Sequence, residues 1–286
     1  MTVGILILAH ANFEQLRWLV NELKTDFQIY IHIDKKCAIS PSLFDGEPQV
    51  HVIKKHTIYW GSQTMILATL DLMKLAYSHH CDYYMLISGS DFPLKSNKRI
   101  IEEIQQCRDT NFISYQQLPR PDWKLSGGFD RLQLYWEHLK NPRSPSLGNR
   151  LCSIFRLFQK LLGLRRKLLP LTYYGGAQWV NIAQETMQYI LDYIERHPEY
   201  TDSFRHTRIS DEIWLQTIVL NSPYRATTVN NDKRYIDWLT GPDFPKVLNS
   251  SDYDKIMASD AFFARKFDMK SDSEIMKRIA SERRNN

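Results

Sequence analysis

Cysteine is scarce in this chain. The four present, Cys37, Cys81, Cys107 and Cys152, form no Cys-x-x-Cys pair and match no metal-finger spacing. A disulfide framework and a zinc module are therefore not indicated, and a reducing, cytoplasmic setting is expected. Glycine-rich phosphate cradles are also lacking. Without Gly-x-Gly-x-x-Gly or a Walker A motif, neither a nicotinamide enzyme nor a kinase is supported. No apolar run approaches the ~20 residues that span a bilayer. The stretch from Met1 to His10 has no basic n-region and enters apolar residues at once, so it is expected to be a strand and not a signal peptide. Net charge is only +5 and is spread along the chain; it does not imply a nucleic-acid groove.

What is present is a 286-residue chain, 43% hydrophobic, long enough for one large α/β domain or two small ones. Val3 to Ala9 reads as a buried strand, nearly continuous in Ile and Leu. Asn12 opens an amphipathic helix with Leu16, Leu19, Val20 and Leu23 on one face. Strands are predicted at Phe27–Ile33, Val50–Ile53, Tyr83–Ile87 and Phe112–Tyr115. Ser62 and Asn97 are expected to cap helices reaching about Tyr77 and Gln106. This alternation predicts a doubly wound α/β fold, with residues 1 to about 116 as the nucleotide-binding half of a single domain. Residues 117–172 are less regular, broken first by Pro119, Pro121, Pro142 and Pro145. Residues 173–286 complete the domain as the acceptor and catalytic half.

Three predicted strand ends deliver His10, Asp34 and Asp91 to one edge, where open α/β sheets bind ligands. Many nucleotide-sugar transferases place an Asp-x-Asp metal clamp at such a position. Here Ser88-Gly-Ser-Asp91 offers one acid. The literal Asp-x-Asp, Asp252-Tyr-Asp254, follows Asn249-Ser-Ser and reads as a helix cap. His79-His80-Cys81 stands at a helix-to-strand turn with no further ligand near in sequence, so a metal site is not favoured there.

Several features carry two readings. The seven Trp and fifteen Tyr suit either a large core or sugar stacking. Gly175-Gly176 implies a close backbone approach to a ligand or another strand. Gln178 and Trp179 belong either to a sugar site or to the sheet interior. Tyr135, Trp136 and Glu137 either line an acceptor site or form a packed helix face. His10 faces a donor pocket or bonds backbone. Ser210 looks like a cap, and Asp211 and Glu212 like ordinary first-turn acids facing the helix dipole. The acid-free basic segment 152–171 is either a core helix whose Lys and Arg reach solvent, or an interfacial helix on an anionic membrane.

Taken in order, seven segments resemble a known family. They are Ile31-His-Ile-Asp34-Lys-Lys36, Tyr59-Trp60-Gly61-Ser62, Leu86-Ile-Ser-Gly-Ser-Asp91-Phe-Pro-Leu-Lys95, Gly176-Ala-Gln-Trp179, Ser210-Asp-Glu212-Ile-Trp214, Arg234-Tyr-Ile-Asp-Trp238 and Phe263-Ala-Arg-Lys266-Phe-Asp268. Together they resemble the core-2/I-branching β-1,6-N-acetylglucosaminyltransferases and peptide O-xylosyltransferases of glycosyltransferase family 14, over most of the chain. The resemblance implies a GT-A (Rossmann-like) fold with a mixed central sheet, a UDP-sugar donor (UDP-N-acetylglucosamine foremost), a glycan or lipid-linked saccharide acceptor, inversion at the anomeric carbon, and no metal or other cofactor. It implies Glu212 as the general base, and Arg234 and Lys266 as the cations on the departing UDP. It further implies a uridine contact for Asp34 and donor-pocket places for Trp60 and Asp91. The chemistry agrees: an inverting displacement needs one base for the acceptor hydroxyl and fixed positive charge where the diphosphate's charge grows.

Compared with the animal enzymes, the chain shows no signal anchor, few cysteines and an added basic segment. A bacterial member acting in the cytoplasm on a glycolipid, capsule or lipopolysaccharide precursor is therefore expected, with 152–171 available to rest on the inner face of the membrane. Two rival readings stand beside it: a metal-dependent transferase or nucleotidyltransferase using Asp91 with a distant acid, and a non-catalytic nucleotide-sugar or glycan-binding module.

Overall fold

The computed structural model describes residues 1–137, 147–242 and 245–285; Pro142 and Pro145, expected breakers, lie outside them. Its strands are β1 (Val3–Ala9), β2 (Gln28–Ile33), β3 (Val50–Ile53), β4 (Tyr83–Ser88), β5 (Phe92–Pro93), β6 (Asn111–Ile113), β7 (Gln116–Gln117), β8 (Tyr174–Gly175), β9 (Val180–Ala183), β10 (Thr228–Val229), β11 (Arg234–Ile236) and β12 (Phe263–Arg265). Seven of them form the central sheet in the order β10-β6-β9-β4-β1-β2-β3. The pairings are parallel except for β9, which runs antiparallel to both β4 and β6. The sheet is thus mixed, as the resemblance implied.

Side chains alternate across the sheet, as a period of two requires. Ile5, Ile7, Ile29, Ile31, Met85 and Ile87 enter the core on one face; Leu6, Tyr30, Tyr84 and Leu86 enter the core on the other. The helices Phe13–Leu23, Asn97–Gln106 and Glu274–Asn285 cover the first face through Leu16, Leu19, Ile100, Ile104, Ile275 and Ile279. Gln63–Ser78, Gln184–Arg196 and Trp214–Leu220 cover the second. Both faces are covered, so β1 has no need of polar alternation, and its apolar run follows.

Local chemistry sets most boundaries and corrects three expectations. The Ser62 hydroxyl accepts from the Thr64 N–H, capping its helix as expected. The cap before Asn97, however, is Ser96, whose hydroxyl accepts from the Arg99 N–H; Asn97 is the first helical residue and donates to the Glu22 carbonyl and to Asp26. Ser210 is no cap either. It sits inside a short 3-10 turn, Ser210–Glu212, and its hydroxyl accepts from Thr207. The basic segment forms the helix Leu147–Leu161, whose apolar side chains face outward, followed by irregular chain in which Leu168, Leu169 and Leu171 pack against the core; this removes the core-helix reading. Asp252 does belong to a helix start: it closes a capping box with Asn249 and pairs with Lys246 at 2.6 Å.

A second, small sheet, β11-β12-β5, brings the distant Phe263–Arg265 strand against Phe92–Pro93, directly after Asp91. The glycine pair answers to a strand: a Cβ on Gly176 would lie 1.7 Å from the Ser114 carbonyl oxygen, just beyond β6. The Gly176 N–H also donates to the Glu212 carbonyl at 2.9 Å, so this approach holds the Glu212 turn. Gly176→Ala is expected to destabilise the fold by about 1–3 kcal/mol, the usual range for overpacking. Urea denaturation measures it, and an unchanged midpoint would show that Ser114 can move aside freely.

Candidate functional site

Asp91 is fully buried and already engaged. Its Oδ1 accepts from the Ser88 hydroxyl at 2.8 Å and from Arg265 Nε at 2.9 Å, and its Oδ2 accepts from the Ser88 N–H at 3.1 Å. The Arg265 guanidinium lies 4.2 Å over the Trp179 ring. The strand-end acid is therefore an arginine's counter-ion and not an open metal ligand. Trp179, 6% exposed, is the platform beneath that arginine, which settles it as an interior residue. Among the described residues, no three His, Cys, Asp or Glu side chains are grouped to hold a metal ion.

The other strand ends gather around Arg265. Asp34, closing β2, accepts the N–H groups of Lys36 at 3.0 Å and Ile58 at 3.2 Å. His10, just past β1, keeps an exposed edge, yet packing strips much of its solvation and lowers its pKa; Asp34 opposes that shift, while Lys36, Lys266 and Arg265 add to it. His10, Asp34, Lys266 and Arg265 thus share one electrostatic neighbourhood. Trp60 is 53% exposed beside Gly61, where a Cβ would lie 3.1 Å from Ile209. Ile209 donates back to the Gly61 carbonyl at 2.6 Å. The Trp60-Gly61 turn therefore supports the loop leading into Glu212.

Arg234 departs from its expected place. Its guanidinium is buried under the sheet end, donating to the carbonyls of Asp232 at 2.9 Å and Leu86 at 3.1 Å and to Asn181 Oδ1 at 2.9 Å. Burial lowers its pKa, with Asp91 and Asp232 opposing. These three contacts are to groups of the protein itself, so it braces β4 against β9, while its Nε has no partner among the described residues. Arg265, one strand over, stands beside Asp91 with its side chain 14% exposed, inside the Phe-Ala-Arg-Lys266 segment.

Glu212 sits at the end of the 3-10 turn, with its Oε2 accepting from Arg131 Nη1 at 2.8 Å. Its side chain is 27% exposed, so one edge of the carboxylate is open. Burial of the rest raises its pKa; Arg131 opposes most, then Arg120 and Arg265. Arg131 and Arg120 both stack on Trp123, at 3.5 and 4.5 Å. Asp211 beside it is buried, its Oδ1 has no partner among the described residues, and desolvation together with the Glu212 charge pushes its pKa up to about 7. Neither Arg131 nor Trp123 carried a sequence signal, because both come from the irregular stretch before the Leu147–Leu161 helix.

The profile of the Core-2/I-branching enzymes matches residues 6–257. The chain belongs to that family. Among curated proteins it is 23% identical to a xylosyltransferase of Ciona intestinalis, aligning 96% of this chain with 33% of that one. It is 22% identical to human xylosyltransferase 1, over 74% of this chain and 21% of the relative. It is also 25% identical to the β-glucuronosyltransferase GlcAT14A of Arabidopsis thaliana, over 79% and 49%. The chain thus spans half or less of the length of these relatives.

Within this Core-2/I-branching chain, the candidate acceptor residues fall into two groups. Gln178, 9% exposed, has an Nε2 without a partner among the described residues. Trp136 is enclosed: its Nε1 donates to the Asp130 carbonyl at 3.0 Å, and Arg156 and Arg208 cover its ring at 4.7 and 4.8 Å. It cannot offer a face to a sugar, which corrects the acceptor expectation in favour of packing. Tyr135, 44% exposed, has its backbone tied to Gln159, and Glu137 pairs with His206 at 3.2 Å.

Two outcomes follow. Asp91→Ala leaves Arg265 buried without its partner and is expected to cost about 3–5 kcal/mol, read from urea midpoints; a smaller change than 1 kcal/mol would deny the pair its structural role. Asp211 has a folded pKa above its unfolded value, so its contribution is complete below about pH 4 and is lost as pH rises toward about 7. Asp211→Asn should therefore gain stability relative to the parent at pH 8 and not at pH 4. Equal differences at both pH values would contradict the raised pKa.

Proposed function

We propose that this Core-2/I-branching chain is an inverting, metal-independent glycosyltransferase that moves a sugar from a UDP-sugar to a hydroxyl of a glycan or glycolipid. One observation carries the reading. A carboxylate with a raised pKa and an open edge, Glu212, lies within electrostatic reach of Arg265, which together with Lys266 also acts on His10 at the strand ends. Base and cations thus act on one electrostatic neighbourhood.

In this reading Glu212 takes the proton of the acceptor hydroxyl as that oxygen attacks the anomeric carbon. The bond from that carbon to the UDP oxygen breaks, and the electron pair leaves with the diphosphate. Arg265, fixed by Asp91, and Lys266, a mobile point charge, meet the growing negative charge. Among the described residues, no hydrogen bond or salt bridge engages the Lys266 ammonium, which suits it to a ligand. Asp34 and His10 serve the donor side, and Arg234 acts as a brace beneath them. Arg131 positions Glu212 and keeps its pKa from rising further. Metal independence is supported by Asp91, whose carboxylate is committed to Ser88 and Arg265.

The donor sugar is the least constrained part. The motif resemblance favours N-acetylglucosamine, while the curated relatives are named for xylose and glucuronic acid. Thermal stabilisation by a panel of UDP-sugars separates them, since a ligand that prefers the folded state raises its stability.

Glu212→Gln is expected to lower turnover by roughly 10²–10⁴-fold, the usual contribution of a general base, with UDP-induced stabilisation retained. Turnover equal to the parent's would remove Glu212 from the chemistry. Because the base must be ionised, kcat/KM should fall as pH drops through the raised Glu212 pKa. Arg131→Met should move that acid limb to higher pH, and a limb that stays in place would contradict the pairing. Activity is expected to survive excess chelator; abolition by chelator with recovery on adding manganese would overturn metal independence and return Asp91 to question.

A further inference from the structure

The Leu147–Leu161 helix is amphipathic in reverse. Successive residues turn by ~100°, which sets Leu147, Leu151, Ile154, Phe155, Phe158 and Leu161 along one stripe. That stripe faces solvent: Leu151 is 57% exposed, Ile154 62%, Phe158 57% and Leu161 74%. Its polar side faces the body of the protein. Gln159, 1% exposed, accepts from the Tyr135 N–H at 2.8 Å and donates to the Tyr135 carbonyl at 3.1 Å, while Arg156 covers Trp136. Surface helices ordinarily bury the apolar stripe, and an apolar patch left outward on this scale marks a contact surface. Leu162 and Leu164 extend it past the helix end, 57% and 49% exposed.

Charge identifies the occupant. From residue 147 to 172 there are six Lys and Arg and no Asp or Glu. Arg150, Lys160, Arg165 and Lys167 are exposed. A second copy of the chain would bring two basic rims face to face, because a two-fold contact pairs the same patch with itself. An anionic bilayer satisfies both halves of the surface at once: acyl boundary for the stripe, phosphates for the rim. None of the described helices is long and apolar enough to cross a membrane, so the contact is peripheral.

We propose that the Leu147–Leu161 helix and the turn after it seat this protein on an anionic membrane surface. The mount is firm on the protein side. Arg166 donates to the Leu132 carbonyl at 3.0 Å and the Ser203 carbonyl at 2.7 Å, and its N–H donates to the Gln133 carbonyl at 2.8 Å. The face is thereby fastened to the segment that carries Arg131. This surface is independent of the proposed transfer reaction and stands or falls by a binding measurement alone.

The test is sedimentation of the full chain with vesicles of phosphatidylcholine alone and of phosphatidylcholine with phosphatidylglycerol. Binding is expected to the anionic vesicles and to weaken with salt. The pair Ile154→Ser with Phe158→Ser should weaken it by at least about tenfold, since each large apolar side chain removed from a buried setting accounts for roughly 1.5–3 kcal/mol and 1.4 kcal/mol is tenfold. The triple change Arg150→Gln, Lys160→Gln, Lys167→Gln should weaken anionic binding and erase the preference over phosphatidylcholine. Both variants alter exposed side chains, and unchanged thermal melting confirms that they fold. The proposal is overturned if the parent fails to sediment with anionic vesicles, or if parent and variants partition alike. A concentration-dependent dimer that the Ile154/Phe158 variant dissolves, without vesicle binding by the parent, would overturn it in favour of self-association.

Discussion

The buried ion pair between Asp91 and Arg265 is the constraint on which the site depends. The two residues stand far apart in the chain, one after the central strand β4, the other at the end of β12. Drawing both charges out of water is costly, and such a pair is tolerable only when its remaining polar atoms are satisfied. Here Ser88 supplies a hydroxyl and an N–H to the carboxylate, and Trp179 supplies a ring face to the guanidinium. The pair locks the small sheet onto the end of the large one. It thereby sets Lys266 and Arg265 at the strand-end edge where His10 and Asp34 already lie.

Arginine recurs wherever this fold needs a rigid strut between irregular segments. Arg131 and Arg120 stack on Trp123, Arg156 and Arg208 enclose Trp136, and Arg234 bridges β4 and β9. A guanidinium is planar, always charged and able to bond and stack at once, so it can fix a loop that has no regular hydrogen-bond ladder. The consequence for Glu212 is direct. Arg131 holds one oxygen and the turn buries most of the rest, leaving a single edge open. A carboxylate held this way is oriented and more basic than one in water, as general-base chemistry requires.

The outward apolar stripe of the Leu147–Leu161 helix belongs to the same pattern of polar mounting. Gln159, Arg156 and Arg166 do the fastening that leucines do elsewhere. Composition alone leaves two readings of that segment, because an amphipathic period does not say which face the body takes. Tertiary contact removes one of them.

How far the sequence reaches can be argued residue by residue. The strands β1 to β4, the Ser62 cap and the Asp252 capping box were legible because each rests on neighbours within a few positions: an apolar run, a hydroxyl before a helix, an acid three residues on. The Glu212 segment was legible as a motif, yet on spacing alone its acids resembled ordinary helix-dipole partners. Arg131 and the enclosure of Trp136 left no local trace, since they come from a stretch without periodicity. The burial of Arg234 between β4 and β9 and the pairing of Arg265 with Asp91 were equally hidden, because only the crossing of two sheets brings those distant segments together. By itself, then, the sequence determined the family, the α/β alternation and the set of polar residues brought to the strand ends, all of which follow from local pattern and order, while the mixed sheet was implied by the family resemblance. The tertiary structure alone decided which cation each carboxylate meets, which ring is covered and which helix face looks outward. Those are properties of contacts between segments distant in the chain, where burial and pairing set the energy and residue type does not.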